Sequence, residues 1–286
     1  MYKKGRYELL SVLILYYNDR FHINEAVDSV LRQTKAPGQI IIVDNGSTDG
    51  GLDAFFSNPL IEIVRLDRNY PLGFARNLGL ERVKMEFVAF LDSDDVWETH
   101  KVETISHMLE IPDTHYIHSN YIRINDEGHA ISSGLAGGLE GLCSREHFRL
   151  NEITIGPPST IVGRTASIKR IGGFNDSFSV SADWDLNQRM SRNYPIIYRP
   201  ESLVKYRVHH NNLSKNVNLY FDEMTKSITG NFYNFEIKKT DFRYSISKLN
   251  MIMAGELCKQ RNIRFLKYLI NSFLIDFRVL TKRLTQ

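Results

Sequence analysis

Length, composition and charge exclude several classes of protein before any motif is considered. The chain has 286 residues, of which 42% are hydrophobic and 24% charged, a balance typical of a globular protein large enough to bury a core, and not of a disordered chain. The net charge of +3 is too small to require a nucleic-acid partner. The two cysteines, Cys143 and Cys258, lack the spacing of a zinc site or a disulfide framework.

The N-terminal part of the chain alternates apolar strands with amphipathic helices. Short, nearly continuous apolar runs predict four strands, at residues 10–17, 39–44, 61–66 and 86–92. Helical periodicity predicts helices at residues 23–33 and 73–83. This order predicts an α/β fold with a mostly parallel sheet, in which ligands gather beyond the carboxyl ends of the strands.

The regular pattern weakens beyond about residue 112. A helix is predicted at residues 97–109, loops around SSGLAGGLEGL, and a second helix from about Ser181. A strand pair at residues 195–200 and 202–209 is expected to close the α/β domain, which we place at residues 1–215. Because proline and glycine are then nearly absent, residues 216–286 are predicted to form a helical region.

Three carboxylates follow the predicted strand at residues 86–92. Asp92, Asp94 and Asp95 lie within the sequence FLDSDD, where the chain leaves the sheet. Like charges this close raise one another's pKa unless a cation or hydrogen bonds compensate, so a bound Mg²⁺ or Mn²⁺ is one interpretation. The other is a solvated turn whose aspartates cap the following helix.

A second acidic loop, VDNGSTDG, follows the strand at residues 39–44. Considered alone, it is typical of a tight turn, because Asn-Gly and Asp-Gly steps provide the backbone angles that turns require. Two acidic loops after neighbouring strands, however, would open into one crevice.

Six short motifs, in their order and spacing, resemble those of family 2 glycosyltransferases of the GT-A fold. They are YYN, VDNGSTD, GFARNLG, FLDSDD, IGGFND and ADWDL, and the resemblance spans roughly residues 9–215. It implies a Rossmann-like, mostly parallel sheet flanked by helices and followed by a C-terminal helical appendage. Within this domain a nucleotide-sugar half at about residues 1–112 would precede an acceptor half at about residues 113–215.

The resemblance also implies an activity. The protein would be an inverting transferase that moves a sugar from a nucleotide-diphosphate sugar, expected to be a UDP-sugar, to a hydroxyl of a saccharide or lipid-linked saccharide. The setting would be synthesis of a bacterial-type surface polysaccharide.

The resemblance assigns residues to the substrates. The loop of Asp44 and Asn45 would hold the nucleotide base, since either side chain can accept the N3 hydrogen of uracil. Arg76 would lie beside base and phosphate and donate two parallel hydrogen bonds; its alternative is an exposed helix cation. The full implied set of substrate-binding residues is Tyr17, Asp44, Asn45, Ser47, Gly73, Arg76, Asp92, Ser93, Asp95, Gly173, Phe174 and Trp184.

FLDSDD resembles the DXD motif of this family, which implies that Asp94 ligates Mn²⁺ or Mg²⁺. His209 in YRVHHNNLS would complete the metal shell or touch the diphosphate, although the adjacent His210 leaves the register open. Asp92 would face ribose or metal, and Asp95 would bind substrate or cap the next helix. The IGGFND loop would line the acceptor side, or simply end a helix through its glycines.

Asp183 falls on the position of the catalytic base, at the N-terminus of a helix whose dipole would lower its pKa, with Asp185 as the second candidate. Three positions depart from the family pattern. Leu15 stands where proline often follows the first strand, Asn45 replaces a frequent aspartate, and Ala182 replaces the glutamate before the base.

Three other activities fit the sequence less well. A non-catalytic nucleotide-sugar binding module would not need Asp92, Asp94, Asp183 and His209 together. A sugar nucleotidyltransferase would need a glycine-rich, basic phosphate loop near the first strand, and YYNDRFHINEA does not provide one. A dehydrogenase would need G-x-G-x-x-G there.

The C-terminal segment carries an apolar stripe at helical spacing, with basic residues opposite. Two interpretations stay open: packing on the catalytic domain or a second subunit, and contact with an anionic membrane surface. Since we see neither a secretion signal nor a run of about 20 apolar residues, a cytoplasmic location is expected, either free or at the inner face of the membrane. The stripe is Leu266, Leu269, Ile270, Phe273, Phe277, Leu280 and Leu284, and the basic residues are Arg264, Lys267, Arg278 and Lys282.

Overall fold

The computed structural model describes residues 7–55, 58–134, 137–151, 154–209 and 213–279. Its strands are β1 (Tyr7–Tyr16), β2 (Pro37–Asp44), β3 (Ile61–Arg65), β4 (Phe87–Asp92), β5 (Val96–Trp97), β6 (Tyr116–Ile124), β7 (Ala130–Ser133), β8 (Ile161–Arg164) and β9 (Ile196–Arg207). Its helices are α1 (Ile23–Leu31), α2 (Leu72–Arg82), α3 (Lys101–Leu109), α4 (Ser144–Phe148), α5 (Thr165–Arg170), α6 (Ala182–Asn193), α7 (Val217–Asn234), α8 (Lys239–Lys259) and α9 (Phe265–Ile275). Leu280, Lys282, Leu284 and His210 lie outside the described residues.

The chain divides into two compact units. Unit 1 comprises residues 1–143 and 155–209, and unit 2 comprises residues 144–154 and 210–286. Unit 1 contains the sheet, and unit 2 contains α4, α7, α8 and α9. None of the helices in the described part of the chain is long and apolar enough to cross a membrane.

The sheet of unit 1 is mixed. Its strand order is β3-β2-β1-β4-β8-β6-β9-β5, with β7 added to β6. The first four strands of this order run parallel, as predicted, whereas β8 is antiparallel to both β4 and β6. The α/β prediction for the N-terminal part is therefore confirmed.

Two apolar layers cover the two faces of the sheet, because successive side chains of a strand point to opposite sides. In β1, Val12 and Ile14 join the core beneath α1 and α3. Leu13 and Leu15 join the core beneath α2 and α6. When both faces of a strand are buried, neither face carries alternating polar side chains, which explains the continuous apolar runs in the sequence.

Two predicted elements differ from the structure. Residues 195–200 and 202–209 form one strand, β9, and not a pair: Pro200 falls at a register shift where Ser119 pairs with Arg199 and Asn120 with Ser202. Proline cannot donate a hydrogen bond to the ladder, so the strand bulges there and continues. The predicted helix at residues 97–109 begins only at Lys101, since Val96 and Trp97 pair with β9 as β5.

Unit 2 has a small core of its own. Met253, Ala254 and Leu257 on α8 pack against Tyr268 on α9. Asp241, at the start of α8, pairs with both Arg145 and Arg149, and the Ser245 hydroxyl donates to the carbonyl of Phe148 at 2.8 Å. These contacts fasten the segment around α4 to the C-terminal helices.

Candidate active site

Strand register brings the predicted acidic loops to one edge of the sheet. Asp44 of β2 lies beside Tyr16 of β1, and Leu15 of β1 lies beside Asp92 of β4. The carboxyl ends of three parallel strands therefore form one row, and the loops that follow them open on the same side.

The loop after β2 is held by its own polar side chains. Asp44 is buried and accepts hydrogen bonds from the Ser47 backbone N–H and from Arg65 Nε, both at 2.8 Å. Asn45 is fully buried; its amide donates to Asn69 and to the Tyr70 carbonyl, and its oxygen accepts from the Tyr70 N–H. Both residues thus shape the loop from within, whereas Tyr17 beside them is 42% exposed.

Helix α2 brings a buried arginine to the edge of the sheet. Arg76 is only 3% exposed and donates to Asp92 Oδ1 at 2.7 Å. The interpretation of Arg76 as an exposed helix cation is therefore wrong. Its guanidinium also lies over the ring of Phe174, with 5.5 Å between the guanidinium carbon and the ring centroid.

Close backbone packing explains the glycine at position 73, at the start of α2. A Cβ at this position would lie 2.0 Å from the carbonyl oxygen of Asn175, and the Gly73 N–H donates to the Phe178 carbonyl. The glycine lets α2 and the loop before α6 touch backbone to backbone.

The loop of residues 92–95 and His209 meet at the same edge. His209 Nε2 lies 2.9 Å from Asp94 Oδ2, although 115 residues separate them. Burial raises the pKa of Asp94, and the neighbouring carboxylates of Asp92 and Asp19 raise it further. His209 acts in the opposite direction and lowers it. The hydrogen bond to Asp94 raises the pKa of His209. The carboxylates of Asp19, Asp92 and Asp94 and the ring of His209 therefore influence one another at this corner of the site.

The donors at this corner fit a divalent cation shared with a diphosphate. Within the described residues, no group of three or more His, Cys, Asp and Glu side chains is arranged to hold an ion by itself. Mg²⁺ in sites of this kind is bound by one or two carboxylates together with substrate phosphates and water. Asp94 and His209 are adjacent and partly exposed, and would supply such a partial shell if a cation were bound with the diphosphate.

Asp95 and Ser93 are both buried and have different partners. Asp95 is completely buried and accepts hydrogen bonds from the Ser159 hydroxyl at 2.5 Å and the Arg207 N–H at 2.8 Å. Its predicted helix-capping role is wrong, because α3 begins at Lys101 with no side-chain cap. Ser93 donates to Asp19 Oδ2 at 3.0 Å.

Sequence reasoning missed a group of residues that organise the loop after β4. Arg207 is 1% exposed; it donates to the backbone carbonyls of Asp94, Asn125 and Asp126, and pairs with Glu25.

Ser159 and the pair of Asp19 and His22 also belong to this group. The Asp92 backbone N–H donates a hydrogen bond to the Ser159 hydroxyl. Asp19 pairs with His22, whose ring stacks on that of His209 with centroids 5.7 Å apart. The polar run NDRFH directly after β1 was the available signal for the last pair.

Asp183 lies in the first turn of α6 and is half-buried. The helix N-terminus was expected to lower its pKa, and that expectation is wrong. Burial raises the pKa of Asp183 and outweighs Arg76 and the Trp184 backbone N–H, which lower it. A carboxylate with a raised pKa is a stronger proton acceptor than an ordinary one.

The Asp185 carboxylate is held in an ion pair. It is buried and pairs with Arg189 one turn later at 2.7 Å. Arg189 in turn donates to the carbonyls of Ile171 and Gly173. Asp185 thus supports the IGGFND loop through Arg189.

The IGGFND loop ends α5 and is fastened to α2. Gly172 and Gly173 have φ of +89° and +67°, and the Gly173 N–H returns to the Ile168 carbonyl, so the prediction that these glycines end a helix is confirmed. Asn77 of α2 accepts from the Phe174 N–H and donates to the Phe174 carbonyl. Phe174 is buried against Phe90, while Trp184 remains half-exposed near the start of α6.

Sequence comparison finds similarity to known enzymes. One relative is an Escherichia coli protein, UDP-Glc:alpha-D-GlcNAc-diphosphoundecaprenol beta-1,3-glucosyltransferase WfaP, which is 38% identical over 116 residues, covering 40% of this chain and 46% of that protein. The chain matches less than half the length of the first two curated relatives, 46% and 39%.

Structural comparison gives the fold. The chain superposes with a TM-score of 0.67 on Staphylococcus aureus TarS in complex with UDP-GlcNAc, at 17% identity, covering 92% of this chain and 79% of that one. It superposes with a TM-score of 0.62 on the mannosyltransferase PcManGT from Pyrobaculum calidifontis in complex with GDP-Man and Mn²⁺, at 14% identity, covering 88% and 73%. The predicted GT-A fold is therefore confirmed.

The sequence model of the family described as "Glycosyl transferase family 2" matches residues 11–172. This match covers more than half of the 286-residue chain and includes every predicted site residue from Tyr17 to Asp95. The chain belongs to glycosyl transferase family 2.

Proposed function

We propose that this protein is an inverting, metal-dependent glycosyltransferase. It transfers a sugar from a nucleotide-diphosphate sugar, a UDP-sugar, to a hydroxyl of a saccharide or lipid-linked saccharide in surface polysaccharide synthesis. The observation that carries this proposal is the convergence of three groups at one sheet edge: the Arg76–Asp92 pair, the Asp94–His209 pair, and Asp183, which interacts electrostatically with both Arg76 and Asp92.

On the donor side, the exposed ring of Tyr17 offers a flat apolar surface for the nucleotide base, beside the loop that Asp44, Asn45 and Ser47 hold in shape. The UDP donor is supported by WfaP and TarS, whose names or complexes include UDP-Glc and UDP-GlcNAc. The structure of PcManGT is a complex with GDP-Man, so the base used by this chain needs a direct test.

Asp94 and His209 would hold the divalent cation, Mn²⁺ or Mg²⁺. When bound, such a cation acts as a Lewis acid that neutralises charge on the leaving diphosphate. Arg76, held by Asp92 at the end of β4, would orient the diphosphate by donating its remaining N–H groups.

Asp183 is the proposed catalytic base. As the acceptor oxygen forms its bond to the anomeric carbon, Asp183 takes the hydroxyl proton, and the bond from that carbon to the diphosphate breaks with the electron pair leaving on the diphosphate. Attack from the face opposite the leaving group inverts the anomeric configuration. A base with a raised pKa fits this task because proton transfer is most efficient when the pKa of the base lies near the working pH.

On the acceptor side, Trp184 would contact the acceptor beside Asp183, and Gly173 and buried Phe174 would shape the neighbouring loop. Trp184, half-exposed and next to the base in sequence, offers a ring face on which a sugar can pack. The acceptor named for WfaP is a sugar linked to diphosphoundecaprenol, which supports a lipid-linked acceptor for this chain.

The decisive experiment is a scan of nucleotide sugars for release of nucleoside diphosphate by the purified protein. UDP-, GDP- and dTDP-sugars are compared in Mn²⁺, Mg²⁺ and EDTA, and saccharide and lipid-linked acceptors are then screened with the best donor. We expect release with one class of UDP-sugar, its loss in EDTA, and stimulation by the acceptor. A protein that binds UDP tightly but turns over no donor with any acceptor would be a binding module, and the proposal would be wrong.

A further inference from the structure

Helix α9 of unit 2 presents a continuous apolar face to solvent. Leu266, Ile270, Phe273 and Leu274 are 45 to 70% exposed, and their spacing of four, three and one residues places them on one side of the helix. We call these four residues the outer face of α9. Ile263 and Phe277, at the two ends of the helix, are exposed as well.

The core of unit 2 uses the opposite side of the same helix. Tyr268 and Ser272 are buried; Tyr268 packs against α8, and the Ser272 carbonyl accepts a hydrogen bond from Ser247 at 2.8 Å. Leu269, which belongs to the predicted apolar stripe, packs into this core. Folding of unit 2 therefore does not account for the outer face, and large exposed apolar patches mark sites of interaction.

The exposed charged residues that precede and begin α9 have one sign. Arg261, Arg264 and Lys267 are exposed. Among residues 261–279, all of which the structure describes, the one acidic residue is Asp276, which is buried and paired with Arg278. The outer face of α9 is thus apolar, and the exposed charges that precede and begin the helix are cationic.

We propose that the outer face of α9 binds the surface of an anionic phospholipid bilayer. Its 11 residues give a helix about 16 Å long, too short to cross a hydrocarbon layer of about 30 Å, so it would lie in the plane of the interface. The cations would meet the lipid phosphates while Phe273 and Leu274 enter the acyl boundary.

Charge favours the bilayer over a second copy of the chain. A twofold dimer through this helix would bring the exposed cations of both copies near one interface, since both subunits present the same patch. An anionic membrane compensates those charges. This inference depends on unit 2 alone and stands whether or not the proposed transferase activity is correct.

The test is co-sedimentation of the full chain with phosphatidylcholine vesicles that contain or lack phosphatidylglycerol. We expect binding to the anionic vesicles that weakens as salt is added, and a loss of about tenfold or more in the Ile270→Ser/Phe273→Ser/Leu274→Ser variant. Tyr233→Ser is the matched control, because this exposed aromatic residue lies on α7, elsewhere in the same unit, and should leave binding unchanged.

A second pair of variants keeps the proposal testable if the triple variant does not fold. Arg264→Gln/Lys267→Gln should reduce binding to anionic vesicles about tenfold, whereas Lys215→Gln/Lys259→Gln removes the same charge elsewhere in unit 2 and should have little effect. The proposal is overturned if the wild type ignores anionic vesicles at low salt, or if both pairs behave alike. It is also overturned if the triple variant only abolishes a dimer seen by analytical ultracentrifugation.

Discussion

At the scale of single residues, the two aspartates of the first turn of α6 have different surroundings. Replacing each one should therefore have a different effect on the protein. Asp183→Asn keeps shape and hydrogen-bonding capacity but cannot accept a proton, so we expect transfer to fall by ~10²-fold or more while UDP binding is retained. Enzyme kinetics and calorimetry with UDP measure the two effects. An NMR coupling constant of the wild-type product should show inversion; retention would contradict direct displacement.

Asp185→Asn is the matched comparison. Asp185 pairs with Arg189, which holds the carbonyls of the glycine loop, so its loss should lower the thermal midpoint more than it lowers the rate of chemistry. If Asp185→Asn instead abolished transfer in a fully stable protein, the base would have to be reassigned to Asp185.

Asp94→Ala should remove metal-dependent donor binding. The carboxylate is one of two side chains that would face the cation, and the rest of that shell is expected to come from phosphate and water. Calorimetry with UDP in Mn²⁺ and in EDTA gives the measurement. Asp126→Ala is the control, because this exposed carboxylate also acts electrostatically on His209 but is not proposed as a ligand; unchanged affinity in Asp94→Ala would contradict the metal assignment.

At the scale of elements, the loop after β4 depends on β9. Arg207 ties Asp94, Asn125 and Asp126 together through backbone carbonyls, and its planar fork cannot be reproduced by lysine. Arg207→Lys should cost about 2 kcal/mol of unfolding free energy, because buried carbonyls lose their donors, and it should raise the Mn²⁺ concentration needed for half-maximal activity. Urea denaturation and a metal titration measure these effects.

Arg199→Lys serves as the control for that substitution. Arg199 is also on β9, but its guanidinium donates to the half-exposed Glu201, so a small stability change and an unchanged metal requirement are expected. Equal effects of the two substitutions would argue against a specific role for Arg207.

The contact between α2 and the loop before α6 requires glycine at position 73. Gly73→Ala would place a Cβ 2.0 Å from the Asn175 carbonyl oxygen, and we expect a loss of about 1–3 kcal/mol of unfolding free energy by chemical denaturation. Gly230→Ala on α7 is the comparison, since a Cβ there meets nothing within 4 Å, and helix propensity alone should make it neutral or slightly stabilising. An unaffected Gly73→Ala would show that the two elements separate easily.

The elements that the sequence predicted well are those whose pattern is local. Strands β1 to β4 are buried on both faces and read as unbroken apolar runs, so their bounds were found within three residues. Strand β9 was misread as two because Pro200 marks a bulge that only the pairing with β6 reveals. Strands β6 and β8 pair antiparallel across 45 residues, and that pairing leaves no short-range signal.

The residues of the candidate site also divide into those that carry a local sequence signal and those that do not. Asp92, Asp94, Asp183 and His209 can be proposed from the sequence because short motifs carry them, and their roles stay predictions. Ser159 and Arg207 were missed because each acts through partners far away in sequence: Ser159 binds Asp95 across 64 residues, and Arg207 reaches Glu25 across 182. Burial also reversed the expected pKa shift of Asp183, since a helix N-terminus is visible in sequence but desolvation is not.

At the scale of the whole molecule, a buried histidine makes the stability of unit 1 depend on pH. His118 lies within β6, fully buried, with Nε2 2.9 Å from the Leu139 carbonyl and Nδ1 accepting from the Gly156 N–H. Burial lowers the pKa of His118 from 6.5 to about 4, although the bond to Leu139 acts in the opposite direction. Native His118 therefore stays neutral between pH 6.5 and 4, where the unfolded chain takes up a proton.

Because the unfolded state binds more protons in that window, stability must fall as the pH falls, by up to about 3 kcal/mol between pH 6.5 and 4. His118→Gln retains a donor and an acceptor but does not titrate, so its unfolding free energy should lack this part of the pH dependence. Both tryptophans, Trp97 and Trp184, lie in unit 1, so urea denaturation followed by tryptophan fluorescence reports this unit. Other titrating groups are common to both proteins and cancel in the difference, so parallel pH profiles for wild type and variant would show that His118 is not the group responsible.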